Sequence, residues 1–200
     1  MIAPIHISSN IRTRQRGFTL FELVGVLALI AVAMYGLIRA KRGAEVNTNA
    51  QTLYNSVATV QQETSKVYPG LFTGLTCVTL ANNSVFSGTS FRVDRTVPAT
   101  PTVFYNAEPN SQISCAAASV IVAGQNDGYT LTFPGLSNEM CNAVVDKLDQ
   151  TAWLMSVNGT SVKALRGALN TTTSGTQCNA TATADNQTVV ASFARSLPPQ

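Results

Sequence analysis

"RQRGFTLFELVGVLALIAVAMYGLI", residues 14–38, is apolar enough to cross a membrane yet carries a carboxylate at Glu22. From Phe18 onward the apolar run is about 20 residues, and at ~1.5 Å per residue that spans roughly 30 Å, the thickness of bilayer hydrocarbon. A carboxylate within such a span costs on the order of 3 kcal/mol on insertion scales. Something must make that cost worth bearing. Arg12, Arg14 and Arg16 precede the run and no acidic residue does, which places its start in the cytoplasm and its continuation outside. Two simpler readings compete: a secretory signal peptide cut at Ala31-Val32-Ala33, and a plain single-pass anchor. Neither has a use for Glu22.

Around this stretch the composition describes one modest domain plus an anchor. Of 200 residues 45% are hydrophobic and only 12% charged, against the quarter usual in soluble domains. The three leading arginines account for the whole formal charge of +3, so the rest of the chain is neutral and has no basic run with which to grip nucleic acid. The one histidine, His6, lies ahead of the apolar run, which leaves no Ser-His or Cys-His pair and no histidine metal ligand beyond it. Asp146 and Asp149, alternating with Lys147, read as the wet face of a short helix rather than a catalytic pair. No phosphate-cradling glycine loop is present, so the chain is expected to be neither an enzyme nor its own motor, with no cofactor. Cys77, Cys115, Cys141 and Cys178 are even in number and widely spaced, without a C-x-x-C pair. That pattern favours disulfides in an oxidising compartment over a metal site, with three pairings open.

The helix is expected to continue past the apolar run. Val46, Ala50, Leu53, Val57, Val60, Thr64 and Val67 recur at spacings of four and three, a mostly apolar stripe suited to packing on a sheet. Tyr68-Pro69-Gly70 supplies the stop. A helix from Phe18 to Val67 would be about 75 Å long, and Gly25, Gly36 and Gly43 are places where it can bend. Beyond it, "SFRVDRTV", "TVFYN", "SVIVAG" and "YTLTF" read as strands. Ser137 caps a helix over "SNEMCNAVVDKLDQTA", with Met140, Val144, Val145, Leu148 and Ala152 on one face. Asn158-Gly159 between two alternating runs marks a hairpin. "NTTTSGTQCNATATADNQ" reads as a polar loop and "TVVASFARS" as a closing strand. The order is that of an α+β domain, a long helix packed on a mainly antiparallel sheet.

"RGFTLFE" followed by an apolar helix resembles the processing site of type IV prepilins. The resemblance implies cleavage between Gly17 and Phe18 by a prepilin peptidase, then N-methylation of the new amine of Phe18. It implies that Glu22, fifth residue of the mature chain, pairs with an N-terminal amine as subunits polymerise. A carboxylate facing an ammonium at low dielectric is strongly attracted, whereas a misaligned subunit buries it unpaired. Further on, "GLSNEMCNAVV", the hairpin at Gly159, Cys178 and "VVASFA" come in the order of the type IVb subclass, although phenylalanine after the cut is more typical of type IVa. This similarity implies a C-terminal Cys141–Cys178 disulfide and hence the sequential pattern, with Cys77 joined to Cys115.

The organisation so implied is a leader over 1–17, a membrane and filament-core helix over 18–38, an amphipathic helix over 39–67 and a head over 68–200. The implied function is that of a pilus subunit, the major pilin, in adhesion, aggregation, motility or DNA transfer. It would be a single-pass inner-membrane protein with a cytoplasmic N-terminus, then an extracellular homopolymer. Implied partners are the peptidase, an assembly ATPase with its inner-membrane platform, and an outer-membrane secretin. A minor pilin, a type II secretion pseudopilin, a conjugative or DNA-uptake pilus subunit and a membrane-anchored periplasmic binding protein are the alternatives.

Overall fold

The computed structural model describes residues 20–106, 111–180 and 186–195, with side chains from residue 23 onward. The chain divides into two units, Met1–Lys41 and Arg42–Gln200. The first contributes the start of helix α1, Leu20–Val67, which runs unbroken through Gly25, Gly36 and Gly43. Within this unit every described side chain is exposed, Leu29 at 72% and Val32 at 71% among them. An apolar surface exposed on all sides of a helix suits lipid or other helices.

In the second unit α1 changes character. Ala50, Leu53, Val57, Val60 and Thr64 are buried, and Val46 and Val67 partly so. The stripe joins one core with Leu131 and Phe133 of one strand and Val189, Ala191 and Phe193 of another. Helix α1 ends at Val67, ahead of Pro69. Five strands make the main sheet: β3 (Ser114–Ala118), β4 (Gly128–Leu136), β5 (Leu154–Val157), β6 (Thr160–Lys163) and β7 (Gln187–Ala194). Their order is β3-β4-β7-β5-β6, antiparallel throughout, so the last of the described strands lies at the centre. Along β7, Gln187, Val189, Ala191 and Phe193 point inward in strict alternation. Pro134 is tolerated in β4 because the register shifts between Phe133 and Leu136, where Gly135 takes a positive φ of 70°. Tyr129 stacks between Phe72 and Phe193, ring centroids 5.2 and 5.4 Å away. Burial pushes its phenol above the ordinary value, with Thr64 opposing.

"SFRVDRTV" and "TVFYN" contain β1 (Arg92–Asp94) and β2 (Thr102–Phe104), which pair with each other in a separate sheet. Helix α3, Asn138–Leu148, is capped by Ser137 and buries Cys141, Val144, Val145 and Leu148. The hairpin turns at Asn158-Gly159, whose φ values of 51° and 81° are those of a type I′ turn.

Two expectations about elements need correction. "SVIVAG" is not a strand; the strand is the preceding Ser114–Ala118. The backbone N–H groups of Val120, Ile121 and Val122 all point at the Asp127 carboxylate, at 2.5 to 3.1 Å, and are therefore lost to any ladder. "NTTTSGTQC" is not loop but holds helix α4, Thr171–Cys178, capped by Asn170. A further short helix, α2 (Cys77–Asn82), starts from a capping box in which Thr79 replaces the usual Glu or Gln opposite Thr76, leaving no readable signature.

Candidate functional site: the apolar helix and the disulfide-bonded C-terminal region

Gly17 and Phe18 lie outside the described residues. Glu22 falls within α1, in its first turn, and its side chain lies outside the described residues. From Leu23 to Ile38 the helix displays Leu, Val, Ile, Met and Tyr around its whole circumference. Among the described residues this is the one helix long and apolar enough to cross a membrane.

The four cysteines form two bridges of nearly equal span. Cys77 at the start of α2 joins Cys115 on β3, 38 residues apart, with Cα atoms 4.8 Å from each other. Cys141 on α3 joins Cys178 at the end of α4, 37 residues apart and 5.6 Å between Cα atoms. Closing a loop of this size is worth roughly 4 kcal/mol in the chain-entropy model. The first bridge fastens the edge strand to the segment after α1. The second fastens two helices on either side of the β5–β6 hairpin, and both of its cysteines are fully buried.

That second region has a polar centre which the sequence did not reveal. Gln187, fully buried at the start of β7, donates from Nε2 to Asn138 Oδ1 at 2.9 Å. Its Oε1 accepts from Asn158 Nδ2 at 2.5 Å. The same Asn158 amide donates to the Gln177 carbonyl of α4 at 3.1 Å, while Asn158 Oδ1 accepts from Thr188 N at 2.9 Å. One turn residue thus ties together the hairpin, α4 and β7, and through Gln187 the first residue of α3. A half-buried amide network centred on a fully buried glutamine favours one packing, because a slip leaves the donors and acceptors of Gln187 unmet.

Asp149 also departs from its reading as wet surface. Lys163, 8% exposed, places its ammonium 2.8 Å from Asp149 Oδ1 and donates to the Asp149 carbonyl at the C-terminal end of α3. The cation there meets both a carboxylate and the negative end of a helix. Asp146 stays exposed. Arg166, at a positive φ of 54°, lays its guanidinium 4.1 Å from the centre of the Trp153 ring. Outside this frame the region shows hydroxyls to solvent: Thr160, Ser161, Thr171, Thr172 and Thr176 are exposed.

The arrangement has the two parts a polymer subunit needs, an apolar helical stretch whose described side chains are exposed and a domain cross-linked by two disulfides. Comparison with known proteins agrees. The family model described as the prokaryotic N-terminal methylation motif matches residues 12–38, and that described as Bundlin matches residues 42–194. No curated protein sequence matches the chain. Among solved structures, a type IVb pilin from Salmonella typhi is similar at a TM-score of 0.51 and 17% identity, covering 76% of this chain and 99% of that one. TcpA, a type IV pilin from Vibrio cholerae El Tor biotype, is similar at 0.50 and 12% identity, covering 74% of this chain and 99% of that one. These likenesses establish the fold. The Bundlin match extends over most of the chain: it belongs to that family and is a structural subunit of a type IV pilus.

Proposed function

We propose that the chain is made as a prepilin, cut between Gly17 and Phe18 by a prepilin peptidase, methylated on the amine of Phe18, and polymerised as the major subunit. On this reading 1–17 is the leader, 18–38 the membrane and then filament-core helix, 39–67 its amphipathic continuation and 68–200 the head. The observation that carries it is the methylation-motif match over residues 12–38, which contains Gly17, Phe18 and Glu22 together. The N-terminus is cytoplasmic, because the two disulfides need the oxidising side of the membrane. Glu22 pairs with the N-terminal amine of a neighbouring subunit, which sets the register of packing. An assembly ATPase on an inner-membrane platform supplies the work, since the chain has no nucleotide loop, and the filament leaves through an outer-membrane secretin.

The test is the N-terminal sequence and intact mass of the protein from its native host. A chain beginning at N-methylated Phe18 and assembled into abundant surface fibres is expected; one retaining Met1, or beginning at Met34, overturns the reading. Glu22→Ala should leave cleavage intact and abolish filaments, so abundant pili in that variant would remove the role given to Glu22.

A further inference from the structure

Asn158-Gly159 is the only Asn-Gly pair in the sequence. Such a pair carries its own nucleophile, because the nitrogen of a residue without a Cβ is unhindered. Attack by Gly159 N on Asn158 Cγ forms the Cγ–N bond of a five-membered succinimide and breaks Cγ–Nδ2. Ammonia leaves, taking up the proton given up by the Gly159 amide. Water then opens the ring at Cγ to give aspartate, or at the main-chain carbonyl carbon to give isoaspartate, whose backbone runs through Cγ.

Gly159 is exposed, and a Cβ built on it would meet nothing within 4 Å, so crowding does not oppose this reaction. The contacts of the Asn158 amide do. Its Nδ2 donates to the Gln177 carbonyl of α4 at 3.1 Å and to Gln187 Oε1 of β7 at 2.5 Å, while its Oδ1 accepts from Thr188 N at 2.9 Å. The backbone is held to the same strand, Asn158 N donating to the Thr188 carbonyl at 2.9 Å. The nucleophile must meet the face of the amide, whose plane these partners fix from outside the turn. Nδ2 must also gain a proton to depart, and both of its partners are acceptors. Only the Thr188 N–H favours reaction, by stabilising charge that develops on Oδ1. Ring closure therefore waits on a local opening of the junction.

The product does not fit the site it leaves. An aspartate oxygen in place of Nδ2 faces two acceptors, the Gln177 carbonyl and Gln187 Oε1. Turning the Gln187 amide over would point its oxygen at Asn138 Oδ1, now paired with Gln187 Nε2 at 2.9 Å. The Gln177 carbonyl is backbone and cannot turn. We propose that Asn158 is a self-modification site which the native fold holds closed: seating of β7 and α4 suppresses succinimide formation, and a chain in which they are not seated converts to aspartate or isoaspartate and loses the junction.

The experiment incubates the full-length chain in detergent and mildly alkaline buffer, disulfides intact, beside the same chain reduced and unfolded in guanidinium. Peptide mass spectrometry reads residue 158 as asparagine or its products, and labelling by an isoaspartyl methyltransferase reads the isoaspartate. The folded chain should convert at least about tenfold more slowly, as for a reaction that waits on several hydrogen bonds to open. Equal rates overturn the proposal. Gln187→Met keeps the shape of the side chain but removes its acceptor, and should speed conversion severalfold in the folded protein; an unchanged rate overturns the part given to Gln187. Asn158→Asp makes the product directly, and Asp-Gly suits the same turn. That variant should melt well below the unaltered chain or fail to fold, and one of equal stability overturns the misfit of the product.

Discussion

Asp127 shows how much one buried carboxylate can decide. Burial by itself raises its pKa, but the N–H groups of Ile121, Val120 and Val122 outweigh it and hold the carboxyl below its ordinary value. A depressed pKa means that the stabilisation is present above the unfolded value near 4 and is lost as pH falls through the lower folded value. Asp127→Asn offers one acceptor oxygen and turns an N–H towards donors, so it should cost about 1–3 kcal/mol at neutral pH. Urea unfolding of both proteins between pH 7 and 2.5 checks this; the gap should close at the acid end, and a gap independent of pH would refute the assignment. Next to it, Gly128 leaves no room for a side chain, because an added Cβ would meet the Phe193 carbonyl and lie 2.5 Å from Val120 Cγ2. Gly128→Ala should therefore lower the melting temperature by several degrees or more, through displacement of the 119–127 turn. Neither residue was legible in the sequence. Both depend on which backbone groups are brought together, and no pattern of residue types reports that.

Among the elements, legibility tracked how much of the cause was local. The stripe from Ala50 to Thr64 was read because its period of 3.6 is set by burial of one helix face, and the hairpin because Asn-Gly accepts the positive φ values that the turn requires. The alanines of β3 carry little strand preference and are held by register against β4 and by the bridge from Cys115. Helix α4 is the extreme case. "TTTSGTQC" is poor in helix formers and eight residues long, too short to persist alone. Its helicity comes from the Asn170 cap, the burial of Ser174 and the anchor at Cys178. Replacing Cys141 and Cys178 by alanine should destabilise the domain by about 4 kcal/mol. Amides 173–178 should lose hydrogen-exchange protection first, before the sheet. Simultaneous loss across α4 and β7 would mean that packing, not the bridge, maintains this helix.

For the molecule as a whole, the class of the fold was readable from the order of helix, strand and turn signals, while the sheet order was not. The buried part of α1 begins at Ala50, and none of residues 23–49 belongs to the core. A chain beginning at Arg42 should therefore fold, form both bridges and remain monomeric, whereas the full chain associates with detergent or lipid. Sedimentation and intact mass without reductant check this, and an aggregated or reduced Arg42 chain would show that the first unit is needed for folding. Sheet order has a consequence for synthesis. Strand β7 is the seam between the β3–β4 and β5–β6 pairs, yet among the described strands it comes last in sequence. A nascent chain thus has no closed main sheet until Gln187–Ala194 has been made. Chains truncated before Gln187 should end as two hairpins without a seam, open to proteolysis. Placing a late segment in the middle makes its synthesis a condition of closing the sheet, an inspection step that requires no separate inspector.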